Sequence, residues 1–375
     1  MRNILSISLS FFFIFLCFLT AQQYFLILFE ADGKENLALI SLVLIYGGFL
    51  AAGTVAPSLI ARLGGLKSSL IIGASTYALF TAVLTLENTL LLLASSIVVG
   101  VGACLLWVAS GQIIADESSD KTAGRNFAYQ SVATSAGGIA GIILGGYLVA
   151  VESASFMYLI LAAFGLVGTL ILFFLKPIRE ETKSRPFRPM FILDIRMLSL
   201  FPFLFGTYYL LGQLFTATSL IVVGLLGLSS VPALVIALRI SNVIGAFGSG
   251  IFADRFNKAG ILVFVTILSL AGIVLLVSTA TMAPILIGTI LIGFSGVTSY
   301  PVTLAWLKES LPEEEYIYSL GVFHVYANIG VIAALAANMW LSPRASFIPG
   351  LAALIIGLGG IVLFEKLAST RSSMH

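Results

Sequence analysis

The stretch LVIALRISNVIGAFGSGIFADRFNK, residues 234–258, holds one arginine, Arg239, alone among apolar and small residues, and ends in a dense Asp-Arg-Lys cluster. A guanidinium set in such a run can face a wet cavity and bind an anion, bond backbone groups where two halves of a bundle meet, or snorkel outward. Spacing argues against lipid exposure. Arg239, Asn242, Ala246 and Ser249 fall at i, i+3, i+7 and i+10, flanked by Gly245 and Gly248, and make one protein-facing or cavity-facing stripe.

The other titratable group inside an apolar run is His324, in VFHVYA. Its reference pKa of about 6.5 suits a proton acceptor or a substrate contact, and a hydrogen bond across helices is the structural reading. No carboxylate lies deep in an apolar run: Asp116, Asp254 and Glu309 stand near one set of ends, and Glu30, Glu87 and Glu152 near the other. The chain has two histidines, His324 and His375, no Cys-x-x-Cys and no phosphate-cradling loop. An enzyme or an ATP-driven pump is not expected, and no metal or cofactor is implied.

The elements that must position these groups are membrane helices. With 59% hydrophobic and 10% charged residues and a mean hydropathy of +1.10, the chain is no ordinary soluble domain. Crossing about 30 Å of hydrocarbon takes roughly 20 apolar residues. Twelve such spans are predicted, near 4–29, 37–60, 68–87, 89–115, 126–150, 153–175, 197–225, 230–253, 259–280, 284–307, 316–341 and 346–364. The first resembles a signal peptide, but QQYFLILF carries it past the usual length of a signal core, so it is kept as a helix.

Of the 19 lysines and arginines, only Lys34 and Arg344 fall on one face, Arg239 falls on neither, and the rest share the other. By the positive-inside rule both termini are cytoplasmic, and short loops without N-x-Ser/Thr acceptors point to a multi-pass protein of the plasma membrane. Cys17 and Cys104 sit inside spans, so no disulfide framework is expected. The net charge of +2 says nothing about partners. Those expected are the lipid bilayer and a small-molecule solute, with no nucleic acid.

The longest hydrophilic break, 176–196, follows the sixth span and divides the chain into six-helix bundles at 1–175 and 197–375, joined by a cytoplasmic linker. CFLTAQQYF of the first span has a counterpart in YYLLGQLFT of the seventh, pairing Gln22 or Gln23 with Gln213. Trp107 likewise pairs with Tyr300, and Gln130 with His324. Two parallel repeats of this kind place a substrate site near the midplane between halves that rock about it.

The clusters after the second and eighth spans carry a more specific signal. GIFADRFNK resembles the Gly-x-x-x-Asp-Arg/Lys-x-Gly-x-Arg/Lys loop of the major facilitator superfamily, matching at Gly250, Asp254 and Arg255, with Asn257 in place of glycine and Lys258 one place early. In the first half, PSLIARLGGLK keeps Arg62, Gly64 and Lys67 but has Pro57 and Ala61 for the glycine and aspartate. The resemblance implies a gating latch in which an acidic group holds basic groups of the opposite half. Its residues are Asp254, Arg255, Lys258, Arg62, Lys67 and Arg125. With Ala61 in place of aspartate, only the second-half latch is intact.

Within that superfamily, LALISLVLIYGGFLAAGTVAPSLIARLG, GVGACLLWVASGQIIAD and AGRNFAYQS are similar to the uncoordinated-93-like, ion-channel regulatory branch. A competing resemblance, to the helix-5 glycine run of proton-coupled antiporters, rests on Gly137, Gly141, Gly145 and Gly146 with Ile142 in place of proline. Small residues every four positions also read as tight helix packing, and that reading is preferred.

The implied fold is an all-α membrane protein, twelve transmembrane helices in two pseudo-symmetric six-helix bundles. The superfamily lines its cavity with helices 1, 4, 7 and 10, which offer Gln22, Gln23, Trp107, Tyr209, Gln213, Thr216 and Tyr300. With Arg239, Asn242 and His324 these are the candidate substrate-binding residues. The expected function is alternating-access transport of a small polar or anionic organic solute. The alternative is a regulatory or trafficking partner of another membrane protein.

Overall fold

The computed structural model describes residues 1–86, 88–177, 189–215, 218, 221, 231–279 and 281–372. Among them are thirteen α-helices and no strand: α1 (Arg2–Ala31), α2 (Glu35–Gly53), α3 (Ala56–Arg62), α4 (Leu66–Val83), α5 (Thr89–Asp116), α6 (Ala123–Val151), α7 (Ala154–Phe173), α8 (Ile195–Phe215), α9 (Val231–Ala253), α10 (Lys258–Ser278), α11 (Met282–Ser310), α12 (Glu313–Trp340) and α13 (Ile348–Ser372). In lipid every backbone polar group must be satisfied within its own segment, and a helix does so. Eleven helices are long and apolar enough to cross a membrane. The eighth predicted span is α9, whose shorter apolar stretch is Leu238–Ala253.

One span is not continuous. The predicted second span, 37–60, is two helices, because Val55 leaves helical geometry at φ −117° and ψ 4° and Pro57 stands at the start of α3. Proline has no N–H to return to the carbonyl four residues back, and its ring crowds that carbonyl, so a break falls there.

Two compact units divide the chain. Unit 1 takes in Met1–Glu117 and Tyr129–Arg188; unit 2 takes in Ser118–Ala128 and Pro189–His375. In unit 1, α5 packs on α2 and α4, and α7 packs on α1 and α4. Phe11, Phe25, Tyr77 and Phe80 fill its centre. The glycine run of α6 lies against α1: a Cβ at Gly137 would strike the Phe12 carbonyl, and one at Gly141 the Leu16 carbonyl. These glycines let two backbones touch, as the packing reading expected.

In unit 2, α8 packs on α12 and α13, and α11 packs on α9 and α10. Phe203, Tyr209, Phe323, Phe347 and Phe364 are its large buried side chains. Asn257, which replaces the family glycine, is the N-cap of α10, its side chain accepting from the Gly260 amide at 2.7 Å. The departure from the family pattern has a local cause, the need to satisfy a helix end.

Candidate functional site

On α9 the predicted stripe is buried: Arg239 is 7% exposed and Asn242 3%, with Ala246 and Ser249 also covered. Ile240, Ile244 and Phe247 form the exposed face of the same helix. Asn242 meets α11, where its amide donates to the carbonyls of Gly293, at 2.9 Å, and Leu238, at 3.1 Å. A Cβ at Gly293 would meet the Leu238 side chain, which would have to move aside.

Tyr209 and Gln213, one turn apart on α8, have their polar atoms engaged within unit 2. The Tyr209 hydroxyl donates to the Ser346 carbonyl at 2.6 Å. Gln213 Nε2 donates to the Ala334 carbonyl at 3.2 Å, and Ser346 Oγ donates to Gln213 Oε1 at 3.1 Å. Gln213 is fully buried. This knot ties α8 to α12 and to the turn before α13. Thr216, the third residue of that predicted face, lies outside the described residues.

Tyr300 of α11 and His324 of α12 come together, their rings 6.4 Å apart. Phe323 stands edge-on to both, at 5.8 Å from Tyr300 and 5.1 Å from His324. Tyr208 of α8 closes on Phe323 at 5.7 Å. The Tyr208 and Tyr316 phenols lie near enough to that of Tyr300 to interact electrostatically. Since Asn242 sits against Gly293, Tyr300 lies seven residues further along α11, about 10 Å at 1.5 Å per residue. Arg239–Asn242 and Tyr300–His324 are therefore two clusters at different depths of unit 2.

In unit 1, Gln22 Nε2 donates to the Tyr46 hydroxyl at 3.2 Å, and both side chains are half-buried, as is Gln23. Trp107 is packed edge-on against Phe11, at 5.1 Å, and Phe15, at 5.4 Å, and shares a hydrogen bond with Tyr77. The indole thus sits in an aromatic cluster of α1, α4 and α5.

The charged residues of the expected latch divide by role. Asp254 accepts from the amides of Gly124, at 2.9 Å, and Arg125, at 3.3 Å, at the start of α6. Here a carboxylate meets the positive end of a helix, and the Arg125 side chain adds charge without making the bond itself. Burial raises the Asp254 pKa above the usual carboxylate value, and the two amides and the Arg125 and Lys258 charges oppose that. Lys258 pairs with Glu309 at 2.6 Å. Lys67 donates to the carbonyls of Phe173 and Leu175, each at 2.9 Å, and so caps α7. Arg62, Arg125 and Arg255 are exposed.

Sequence reasoning missed Tyr46, Ser346, Glu309 and the aromatic neighbours of His324. It also missed Arg196, which binds Asp194 at 2.5 Å and Glu315 at 2.8 Å. Only Asp194, two residues away, carried a local signal; the other partners come from distant segments.

The family model described as Major Facilitator Superfamily matches residues 4–334. UNC93-like protein 3 of Arabidopsis thaliana is 33% identical over 110 residues, 29% of this chain and 22% of that protein. UNC93-like protein MFSD11 of Xenopus tropicalis is 27% identical over 127 residues, 33% of this chain and 28% of that protein. The matches thus span about a quarter of the length of these relatives. Among solved structures, the human organic anion transporter MFSD10 (TETRAN) superposes with a TM-score of 0.77 at 14% identity, covering 96% of this chain and 99% of that one. That likeness is one of fold.

Proposed function

The chain belongs to the major facilitator superfamily, and from that premise we propose that it is a secondary transporter or facilitator of a small polar or anionic organic solute, working by alternating access. The observation that carries this reading is Arg239, 7% exposed within an apolar helix and turned away from that helix's exposed face. Holding a cation at a span's centre costs about 2.5–3.5 kcal/mol on insertion scales, and the surrounding leucines, isoleucines and valines offset it at about 0.3–0.6 kcal/mol each. Insertion is thereby explained, and a guanidinium held at this depth suits an anionic solute. Asn242, one turn on, and the Tyr300–His324 pair further along α11 are the other polar groups of unit 2 proposed to meet the solute. The distribution of basic residues supports cytoplasmic termini, and short loops without glycosylation acceptors support a plasma-membrane location.

The test is the thermal stability of the purified protein against a panel of anionic, neutral and cationic metabolites, in wild type and Arg239→Ala. A stabilising shift by an anionic compound that vanishes in the variant supports the reading. No shift with any compound, together with strong destabilisation by Arg239→Ala, would make the arginine structural.

A second reading is favoured by one observation in unit 1. The last turn of α3 has Ala61 where the family carries aspartate, and Lys67 is committed to carbonyls at the end of α7. A chain lacking that carboxylate could serve another membrane protein as a regulatory or trafficking partner without a transport cycle. The absence of any ligand-dependent shift in the same panel is the result expected from it.

A further inference from the structure

We propose that Lys308 is a positioning residue of the gate, and that with Asp254 it grips the α5–α6 turn by its backbone, a cation at one pole and an anion at the other. The chain leaves unit 1 after Glu117, runs through unit 2 as Ser118–Ala128, and returns to unit 1 at Tyr129. Since α5 ends at Asp116 and α6 begins at Ala123, this segment joins a helix C-terminus to a helix N-terminus. Carbonyls left over at a helix end carry partial negative charge, and amides at a helix start carry partial positive charge. The Lys308 ammonium, in the last turn of α11, donates to the Ser118 carbonyl, two residues past the end of α5. Asp254, just after α9, accepts from the Gly124 and Arg125 amides in the first turn of α6. Each charge thus meets the pole of opposite sign.

Two further contacts fix the turn between these poles. Asn126, 3% exposed, donates from Nδ2 to Ser118 Oγ at 2.7 Å. Gly124 and Gly250 bring two backbones together: a Cβ at Gly124 would overlap that of Ala253, and one at Gly250 that of Ala128. Recognition is therefore of main-chain groups, which are present whatever side chains the turn carries. That separates Lys308 from the latch residues implied by the loop pattern, which act by side-chain charge and do not include it. A turn held in this way needs no carboxylate from the first-half loop, where Ala61 stands. The inference rests on the alternating-access reading, in which the grip holds in one state and lets go in the other.

The test follows a cysteine in the gripped segment. Cys17 and Cys104 are buried and can be replaced by alanine; Ala123→Cys then puts a thiol at a fully buried position of the segment. In lipid nanodiscs without any solute, its labelling by a charged maleimide reports release of the turn. Lys308→Met should raise that rate about two- to fivefold, the effect of losing a cation at a helix C-terminus, and Lys308→Arg should bring it back toward the parent. Ala334→Cys, fully buried near the other end of α12, is the control and should not respond. An unchanged rate at Ala123→Cys in Lys308→Met overturns the proposal. So does an equal rise at Ala334→Cys, which is general loosening, or a Lys308→Arg protein that labels as fast as Lys308→Met. Should Lys308→Met fail to fold, Lys308→Gln carries the same comparison. Because no solute is present, failure here is distinct from failure of Arg239 to bind an anion.

Discussion

Asp254 accepts a hydrogen bond from the Gly124 amide at 2.9 Å, so the carboxylate of the eighth-span loop caps the first turn of α6. The amide bonds favour the ionised acid, yet burial outweighs them and its pKa is raised. A raised folded-state pKa gives stability that is complete below the ordinary carboxylate value, about 3.9, and is lost as pH rises through the higher folded value. Asp254→Asn keeps an oxygen for the Gly124 amide and removes the titration. Its melting temperature relative to wild type should therefore rise as pH climbs from about 4 through the raised value. Parallel pH dependences of the two melting temperatures across that range would show that folding leaves the Asp254 pKa unshifted.

The glycines of α6 and α13 predict opposite responses. A Cβ at Gly137 meets the backbone carbonyl of Phe12, which cannot turn aside, whereas a Cβ at Gly359 meets nothing within 4 Å. Gly137→Ala should cost about 1–3 kcal/mol, as overpacking does. Gly359→Ala should be neutral or gain a few tenths, by about the lower end of the 0.5–1 kcal/mol helix preference. Melting temperatures in one detergent decide it, and a neutral Gly137→Ala would remove the close contact of α6 with α1.

Lys67 was expected to act in gating, and it spends its ammonium on the last carbonyls of α7. A cation at a helix C-terminus contributes about 0.3–1 kcal/mol when partly exposed. Lys67→Met should lower the melting temperature by that amount, with Lys67→Arg recovering part of it. A Lys67→Met protein of unchanged stability would return the residue to the gate.

What the sequence made legible follows the physics of the bilayer. Apolar runs and basic loops identify spans and their alternation, because lipid tolerates little else, and eleven helices of sufficient length stand where such runs were read. The α2–α3 break was written in Pro57 and passed over, since hydropathy does not register a missing N–H. Asn257 was read as a departure from a family motif, although an asparagine at the start of an apolar helical run is a cap signal. The Gln22–Tyr46 and Tyr209–Ser346 bonds were not legible, because nothing local in a chain says which distant hydroxyl or carbonyl a polar side chain will find.

Tyr209 and Gln213 show what that missing information changes. Family resemblance made both cavity residues, but their polar atoms meet Ser346 and Ala334 inside unit 2. Interhelical hydrogen bonds of this kind average about 0.6 kcal/mol in membrane proteins and reach about 1.7. Tyr209→Phe and Gln213→Leu should each fall in that range, and because both act on Ser346 the double variant should cost less than the sum of the two. Arg239→Ala should behave in the opposite sense, abolishing a solute-induced shift while Gln213→Leu preserves it. If Gln213→Leu erased the shift at unchanged stability, the glutamine would leave the knot to hold solute in another state of the protein, and the binding set would extend to α8.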